Sequence, residues 1–154
     1  MSLLAWLAGA AAVGAADVLY FHLYKFRLYQ RAQSRLETGA HLLQGASFAL
    51  ICVFIASADY RAGVMIGFIL HFVGVFTDAL LERRSRESLG GLPSAEYLLH
   101  IAGATLTGGA LATFLGGGSV APEWSWLLLA LGAGIAAAVG VEGVLLGLAR
   151  STRG

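Results

Sequence analysis

The chain has 154 residues, of which 58% are hydrophobic and only 12% are charged, and its mean hydropathy is +0.76. This composition excludes an ordinary water-soluble domain and is typical of a membrane protein. The formal net charge is only +1, and we expect the lipid bilayer, and no nucleic acid, as the main partner. The single cysteine, Cys52, excludes a disulfide framework.

Five apolar stretches follow one another along the chain. Each is near the roughly 20 residues that cross a hydrocarbon core at about 1.5 Å per residue. We expect the first to remain as a span and not to be cleaved as a signal peptide, because no basic segment precedes it and it continues past Asp17. The stretches predict an all-α, single-domain integral membrane bundle of five transmembrane helices, with spans at 3–24, 37–56, 62–81, 95–115 and 124–148.

The basic residues predict how these helices are oriented. Nine of the ten Lys and Arg residues lie between spans 1 and 2, between spans 3 and 4, or after span 5. The opposite side has only Arg61, with Asp59 and Glu123. Because basic loops face the cytoplasm, we expect a multi-pass protein of the cell (inner) membrane, with its N-terminus outside and its C-terminus cytoplasmic.

The polar positions of spans 1 and 2 recur in spans 3 and 4. Asp17 aligns with Asp78, and Glu37 and His41 align with Glu96 and His100. Both halves run in the same direction, which predicts two parallel-repeat hairpins with a fifth helix added. Small residues in that fifth helix suit close packing within the bundle or in a homo-oligomer: Gly132, Ala136, Gly140, Gly143 and Gly147.

Acidic and histidine side chains are concentrated in the predicted spans, where they are costly. An ionised carboxylate at the centre of a membrane helix costs about 2.5 to 3.5 kcal/mol even on a mild scale, so a compensating cation is expected. Helices 1 and 3 end at the cytoplasmic side, where helices 2 and 4 begin, so these groups can meet at similar depth. A spacing of four places three pairs on shared helix faces: Glu37 with His41, Glu96 with His100, and Asp78 with Glu82.

Carboxylates and imidazoles from four antiparallel helices are the ligands that two adjacent divalent metal ions require. The expected ligands are Asp17, His22, Glu37, His41, Asp78, Glu82, Glu96 and His100. The Glu and His residues of the two repeated pairs are the first choice.

This pattern resembles the ferritin-like di-iron carboxylate proteins, in which two helices supply a Glu and two supply a Glu and His pair. The resemblance covers polar positions only, and the pairs are spaced Glu-x-x-x-His here where that family has Glu-x-x-His. It implies two divalent ions, iron first and zinc or manganese as alternatives. The corresponding activity would be that of a metal-dependent oxidoreductase or hydrolase acting on a lipid-soluble substrate.

Two further residues are candidates for a catalytic role. Helical spacing puts Tyr20 and Tyr24 on the stripe of Asp17, with His22 off to one side, so Tyr20 could donate a hydrogen bond or act as a redox partner. Glu142 could close the site from the fifth helix, or pair with a polar group in the bundle.

Other interpretations of the same residues stay open. His41 and His100 could be the axial ligands of a heme. His71 and Glu142 lie deeper and could belong to a metal-ion or proton transport pathway. Single acids could cap helix ends or pair with Arg83 or Arg84, as expected of a structural or assembly subunit.

Overall fold

The computed structural model describes residues 1–57 and 61–151, so Asp59 and Arg153 of the charge argument lie outside the described residues. Every regular element in these two ranges is helical. The long elements are α1 (Leu3–Ala16), which continues directly into a π-helix (Asp17–Lys25), α2 (Arg35–Ala56), α3 (Arg61–Arg86), α4 (Ser94–Leu115) and α5 (Ser125–Ser151). Short 3-10 turns lie in the connections. The prediction of an all-α chain with five long apolar helices is confirmed, and each of the five is long and apolar enough to cross a membrane.

The third helix is longer than the sequence predicted. It was expected to end at residue 81, but α3 continues to Arg86. The chain then reverses at Gly90 and Gly91, whose φ angles of +89° and +93° strongly favour glycine. The amide of Gly91 donates to the carbonyl of Arg86 at 3.0 Å, which caps the helix. This turn holds the last residue of α3 in place, and that residue belongs to the site described below.

The helices pack in an order that follows the repeat of polar positions. α2 lies along both α3 and α5, whereas α1 lies along α4. In the alignment of the two hairpins, α1 corresponds to α3 and α2 to α4, so the α1–α4 contact is the counterpart of the α3–α2 contact. α5 also contacts α1, and it covers the gap between α1 and α2.

The interior of the bundle is divided into an apolar end and a polar end. The apolar core joins the start of α1 and α3 to the end of α2 and α4, with members such as Leu7, Ile51, Phe68 and Phe114. The opposite end buries acids, histidines and an arginine. Large apolar side chains such as Phe76, Leu80 and Leu98 are instead exposed on the outside. A polar interior with an apolar exterior suits a lipid environment.

Some of the small residues of α5 are used inside the bundle. A Cβ at Gly132 would lie 3.2 Å from the Cβ of Cys52 in α2, so this glycine permits close packing. Gly140 and Gly147 are exposed, and a Cβ at either would meet no atom within 4 Å. A homo-oligomer through that outer face stays a prediction.

Close approach of α2 and α3 depends on Gly74. A Cβ there would lie 2.6 Å from Gln44 Cγ, 3.1 Å from the carbonyl oxygen of Ala40 and 3.2 Å from the amide nitrogen of Gln44. Backbone atoms cannot rotate away, so Gly74→Ala should destabilise the protein by about 1 to 3 kcal/mol. Thermal unfolding in detergent checks this result. The matched control is Gly134→Ala on the exposed face of α5, where nothing lies within 4 Å and unfolding should not occur earlier. Equal melting temperatures for the two variants would contradict the prediction.

Candidate metal centre

The polar end of the bundle contains one connected set of buried side chains, which we call the polar cluster. It is built from the π-helix, the first turns of α2 and α4, and the last turns of α3. Its members are Asp17, His22, Glu37, His41, Asp78, Glu82, Arg86, Glu96 and His100.

The π-helix explains how α1 supplies two groups to the polar cluster. Its i→i+5 hydrogen bonds bring residues five apart toward one face, and such segments often occur at functional sites. Asp17 and His22 are five apart and are 3% and 0% exposed. The expectation that His22 lies off to one side is therefore wrong, because it assumed α-helical spacing.

The same change of spacing turns Tyr20 and Tyr24 outward. Tyr20 is 51% exposed and Tyr24 is more exposed still, so neither shares the buried stripe of Asp17. The predicted position of Tyr20 beside the site is wrong for the same physical reason. A catalytic role of Tyr20 stays a prediction.

Glu37 and Glu96 are held by an arginine that the sequence analysis did not select. Arg86 is 0% exposed. Its Nη1 lies 2.8 Å and 2.9 Å from the two carboxylate oxygens of Glu37, and its Nη2 and Nε donate to the two oxygens of Glu96. The buried arginine thus pairs with two of the four residues that were the first choice as metal ligands.

Two aspartate and histidine pairs lie next to this arginine. His41 Nε2 is 3.0 Å from Asp78 Oδ1, and His100 Nε2 is 3.1 Å from Asp17 Oδ2. Each pair joins one hairpin to the other, and the two pairs correspond under the repeat. Arg83 and Arg84 were the cations considered for Asp78 and Glu82, but both arginines are exposed, and histidines contact these acids instead.

Glu82 contacts the far side of the His100 ring. His100 Nδ1 lies 2.6 Å from Glu82 Oε2, while Nε2 points toward Asp17. Metal-binding histidines typically donate their second ring N–H to a carboxylate, which sets the tautomer and the ring orientation. With Glu82 on Nδ1, the atom of His100 that could coordinate an ion is Nε2.

Several buried atoms of the polar cluster have no hydrogen-bond partner among the described residues. His41 Nε2 and Asp78 Oδ1 lie close together, yet neither makes a well-oriented hydrogen bond. Asp17 Oδ1 and His22 Nδ1 also lack a partner within the described ranges, although His22 is completely buried. Unpaired buried polar atoms are costly, and a bound ion would satisfy them.

The distances within the polar cluster also fit a coordination sphere. One nitrogen or oxygen atom from each of Asp17, His22, His41 and His100 falls in a group whose members are all within 4.8 Å of one another. Asp78 belongs to two adjoining groups of the same kind, one with Glu37 and His41 and one with Glu82 and His100. Ligands bound at about 2.0 to 2.2 Å from one ion lie roughly 3 to 4 Å apart. The observed separations of 3.0, 3.1 and 3.9 Å between histidine nitrogens and aspartate oxygens match that spacing.

Charge balance points the same way. Six buried carboxylates lie at this end of the bundle, those of Asp17, Glu37, Asp78, Glu82, Glu96 and Glu142. Counted as fully ionised, these six acids exceed by three the buried cations among the described side chains, which are Arg86 and, if protonated, the His41 and His100 rings. Buried charges need partners, so a divalent ion would compensate much of the excess.

Glu142 and His71 lie outside the closest contacts. Glu142 is buried, interacts electrostatically with His41 and has an unpartnered Oε1 within the described part of the chain. His71 is buried deeper along α3, and its Nδ1 is 3.1 Å from the carbonyl oxygen of Gln44. The eight predicted metal-binding residues therefore lie together, Glu142 lies beside them, and His71 lies apart.

A heme fits this geometry poorly. The His41 and His100 ring centroids are 6.2 Å apart, but each Nε2 already has an aspartate oxygen within 3.1 Å. The His22 ring is 4.0 Å from the His41 ring. A porphyrin would have to displace all of these side chains.

Comparison with protein-family models, with curated proteins and with solved structures finds no match for this chain. The resemblance to ferritin-like di-iron carboxylate proteins thus rests on ligand types alone. Buried His, Asp and Glu groups in this fold could hold a metal ion.

Proposed function

We propose that this chain is a membrane-embedded metalloprotein whose centre is formed by Asp17, His41, Asp78 and His100. The observation that carries the proposal is the pair of contacts between the hairpins, Asp78 with His41 and Asp17 with His100, at distances typical of ligands on one ion. Other buried polar atoms beside them have no hydrogen-bond partner among the described residues. Glu82 orients His100, and His22 and Glu142 border the centre.

The ligand types support iron as the metal, with manganese or zinc as alternatives. Two imidazoles with one carboxylate and open positions are the ligand set of non-heme iron(II) oxygenases, and a second carboxylate also suits manganese. The bound metal would supply Lewis-acid or redox chemistry that activates oxygen, peroxide or water. The reaction class that fits is oxidation or hydrolysis of a lipid-soluble substrate.

The packing of the helices supports access from the lipid. The gap between α1 and α2 is covered by α5, but α3 and α4 are not packed along each other within the described residues. At this side the His100 side chain is 20% exposed, more than those of Asp17, His41 and Asp78. The proposed route for a hydrophobic substrate is this seam between α3 and α4, beside the Glu82–His100 and Arg86–Glu96 contacts that bridge the two helices at the polar cluster.

The first experiment is elemental analysis of protein purified in detergent without added metal. We expect about one tightly bound transition-metal ion per chain. If the metal is iron, we also expect an absorption or EPR signal that changes on reduction. Fully folded protein that contains no metal, and that takes none up from solution, would instead indicate a metal-free network of buried ion pairs.

A transport pathway is the second candidate, and one observation favours it. Beyond His41, Gln44 Nε2 is buried and unpartnered among the described residues, and His71 lies next to the Gln44 carbonyl. Polar groups therefore continue from the polar cluster toward the middle of the bundle. Uptake of protons or metal ions by proteoliposomes, lost in His71→Ala, would support transport, whereas retained metal and no uptake would support an enzyme.

Membrane insertion with a cytoplasmic polar end can be tested by cysteine labelling. Cys52 is buried, so Cys52→Ala provides a background without a reactive thiol. Ser119→Cys, after α4, should react with an impermeant maleimide from outside, and Ser88→Cys, before α4, should react only after permeabilisation; both serines are exposed. Labelling of both positions from the same side would exclude α4 as a span.

A further inference from the structure

Arg86 lies where a di-metal centre would hold its second ion. Glu37 and Glu96 are counterparts in the two hairpins, and both face the guanidinium from the first turns of α2 and α4. Carboxylates from such paired helices are the groups that hold two ions in a four-helix di-metal site. Here the space between them is filled by a protein cation.

The guanidinium is fully engaged at this position. Nη1 contacts Glu37 and the hydroxyl oxygen of Ser85 at 3.0 Å, Nη2 and Nε donate to Glu96, and Nη2 lies 3.4 Å from His22 Nε2. A planar cation with several fixed donors suits two carboxylates at once. Both Glu96 oxygens accept from the guanidinium, and both Glu37 oxygens lie within 2.9 Å of Nη1, although Glu37 Oε1 makes no well-oriented hydrogen bond among the described residues. An ion between these two carboxylates would therefore have to displace the guanidinium.

Arg86 is also shut off from water. It is 0% exposed, and its Cζ lies 5.2 Å from the centre of the Phe26 ring, which covers the guanidinium. Ser85 next to it donates to Ser34 at 2.6 Å, which ties the end of α3 to the segment before α2. These contacts hold the guanidinium of Arg86 inside the polar cluster.

The two hairpins differ in where they place the basic residue at this position. The alignment that matches Asp17 with Asp78 also matches Lys25 with Arg86. Lys25 is exposed, and its Nζ lies 5.1 Å and 5.0 Å from the ring centres of Phe21 and Phe26. The two hairpins thus differ at this position, and Arg86 is the one arginine or lysine that the polar cluster receives among the described side chains.

We infer that Arg86 takes the place of a second metal ion, so that the chain binds one ion, at Asp17, His41, Asp78 and His100, beside one internal cation. This inference rests on the proposed metal centre and determines its stoichiometry. It replaces the expectation of two ions that the ligand count alone suggested.

The test is metal stoichiometry by elemental analysis of protein purified with excess iron(II) under anaerobic conditions and then desalted. The wild type should hold one ion per chain. Arg86→Met should hold two, because Glu37 and Glu96 are then free to bind, and Arg83→Met, which changes an exposed arginine of the same helix, should hold one. The triple variant Glu37→Gln/Glu96→Gln/Arg86→Met should fold and hold one ion, because it lacks both the extra cation and the acids that need it.

Each result decides something. Two ions in the wild type, one ion in folded Arg86→Met, or Arg86→Met that does not fold even with excess iron would each overturn the role of Arg86 and leave the metal centre standing. No ion in the folded wild type would instead remove the proposed function itself.

Discussion

Replacing His41 and His100 together by alanine should abolish tight metal binding. Both rings approach aspartate oxygens at coordination spacing, and their loss leaves the carboxylates of Asp17 and Asp78 with His22 as the remaining imidazole beside them. Removal of a single supporting group around a metal typically costs about 10- to 100-fold in affinity, so loss of two ligands should cost at least about 100-fold. Elemental analysis after desalting measures the change.

His71→Ala is the matched control for this variant. His71 is as buried as His41 but contacts the carbonyl of Gln44 and, within the described ranges, no carboxylate. It should therefore retain the metal content of the wild type. Glu82→Gln is informative as well. Losing the carboxylate that orients His100 should weaken metal binding by about 10- to 100-fold without abolishing it. Full metal content in the double histidine variant would show that the ion, if any, lies elsewhere.

Replacing Arg86 by methionine in metal-depleted protein should cause the largest loss of stability of any substitution considered. The change leaves the Glu37 and Glu96 carboxylates buried without their cation, and removing one partner of a buried ion pair costs about 3 to 5 kcal/mol. Wild type and variant are compared by chemical unfolding in the same detergent and chelator. The expected result is a much lower midpoint for the variant.

A charge-neutral combination separates this effect from lost packing. Adding Glu37→Gln and Glu96→Gln to Arg86→Met removes both unpaired charges and should recover most of the lost stability. Arg84→Met, at an exposed position two residues away, should change stability by less than about 0.5 kcal/mol. If the triple variant were as unstable as Arg86→Met alone, the arginine would act mainly through packing.

The sequence was sufficient for the helices and for eight of the nine members of the polar cluster, all except Arg86. Hydrophobic stretches of spanning length locate helices well, because lipid and backbone hydrogen bonding leave few alternatives. The Glu and His pairs at a spacing of four had to share a face, and reversal of direction between helices brought their ends together. That reasoning needed no knowledge of tertiary contacts.

The π-helix could not be read from the sequence in the same way. Whether a segment forms i→i+4 or i→i+5 hydrogen bonds depends on the tertiary contacts of its side chains. Here Asp17 contacts His100 and His22 contacts Glu96, both on another helix. The regular α-helical spacing therefore placed Tyr20 on the buried stripe and His22 off to one side of it, although His22 was still expected among the ligands. A spacing of five between two buried polar residues was the only local indication.

Arg86 was missed because it follows Arg83 and Arg84. The three together are typical of a cytoplasmic loop under the positive-inside rule. A signal was nevertheless present, since Asp78, Glu82 and Arg86 are spaced by four and continue one helix face. Extending α3 by the five residues beyond its predicted end would have placed the arginine beside the acids.

The crossing of the aspartate and histidine pairs has a consequence for biogenesis. Asp17 meets His100 and Asp78 meets His41, so each hairpin supplies half of each pair and neither contains a complete site. During synthesis the first hairpin enters the bilayer before its counterpart exists, so Asp17 and His41 lack these partners until the second hairpin arrives. The metal would then bind only after both hairpins have docked. It would link the two hairpins, and its binding would be the last step in the maturation of the nascent chain.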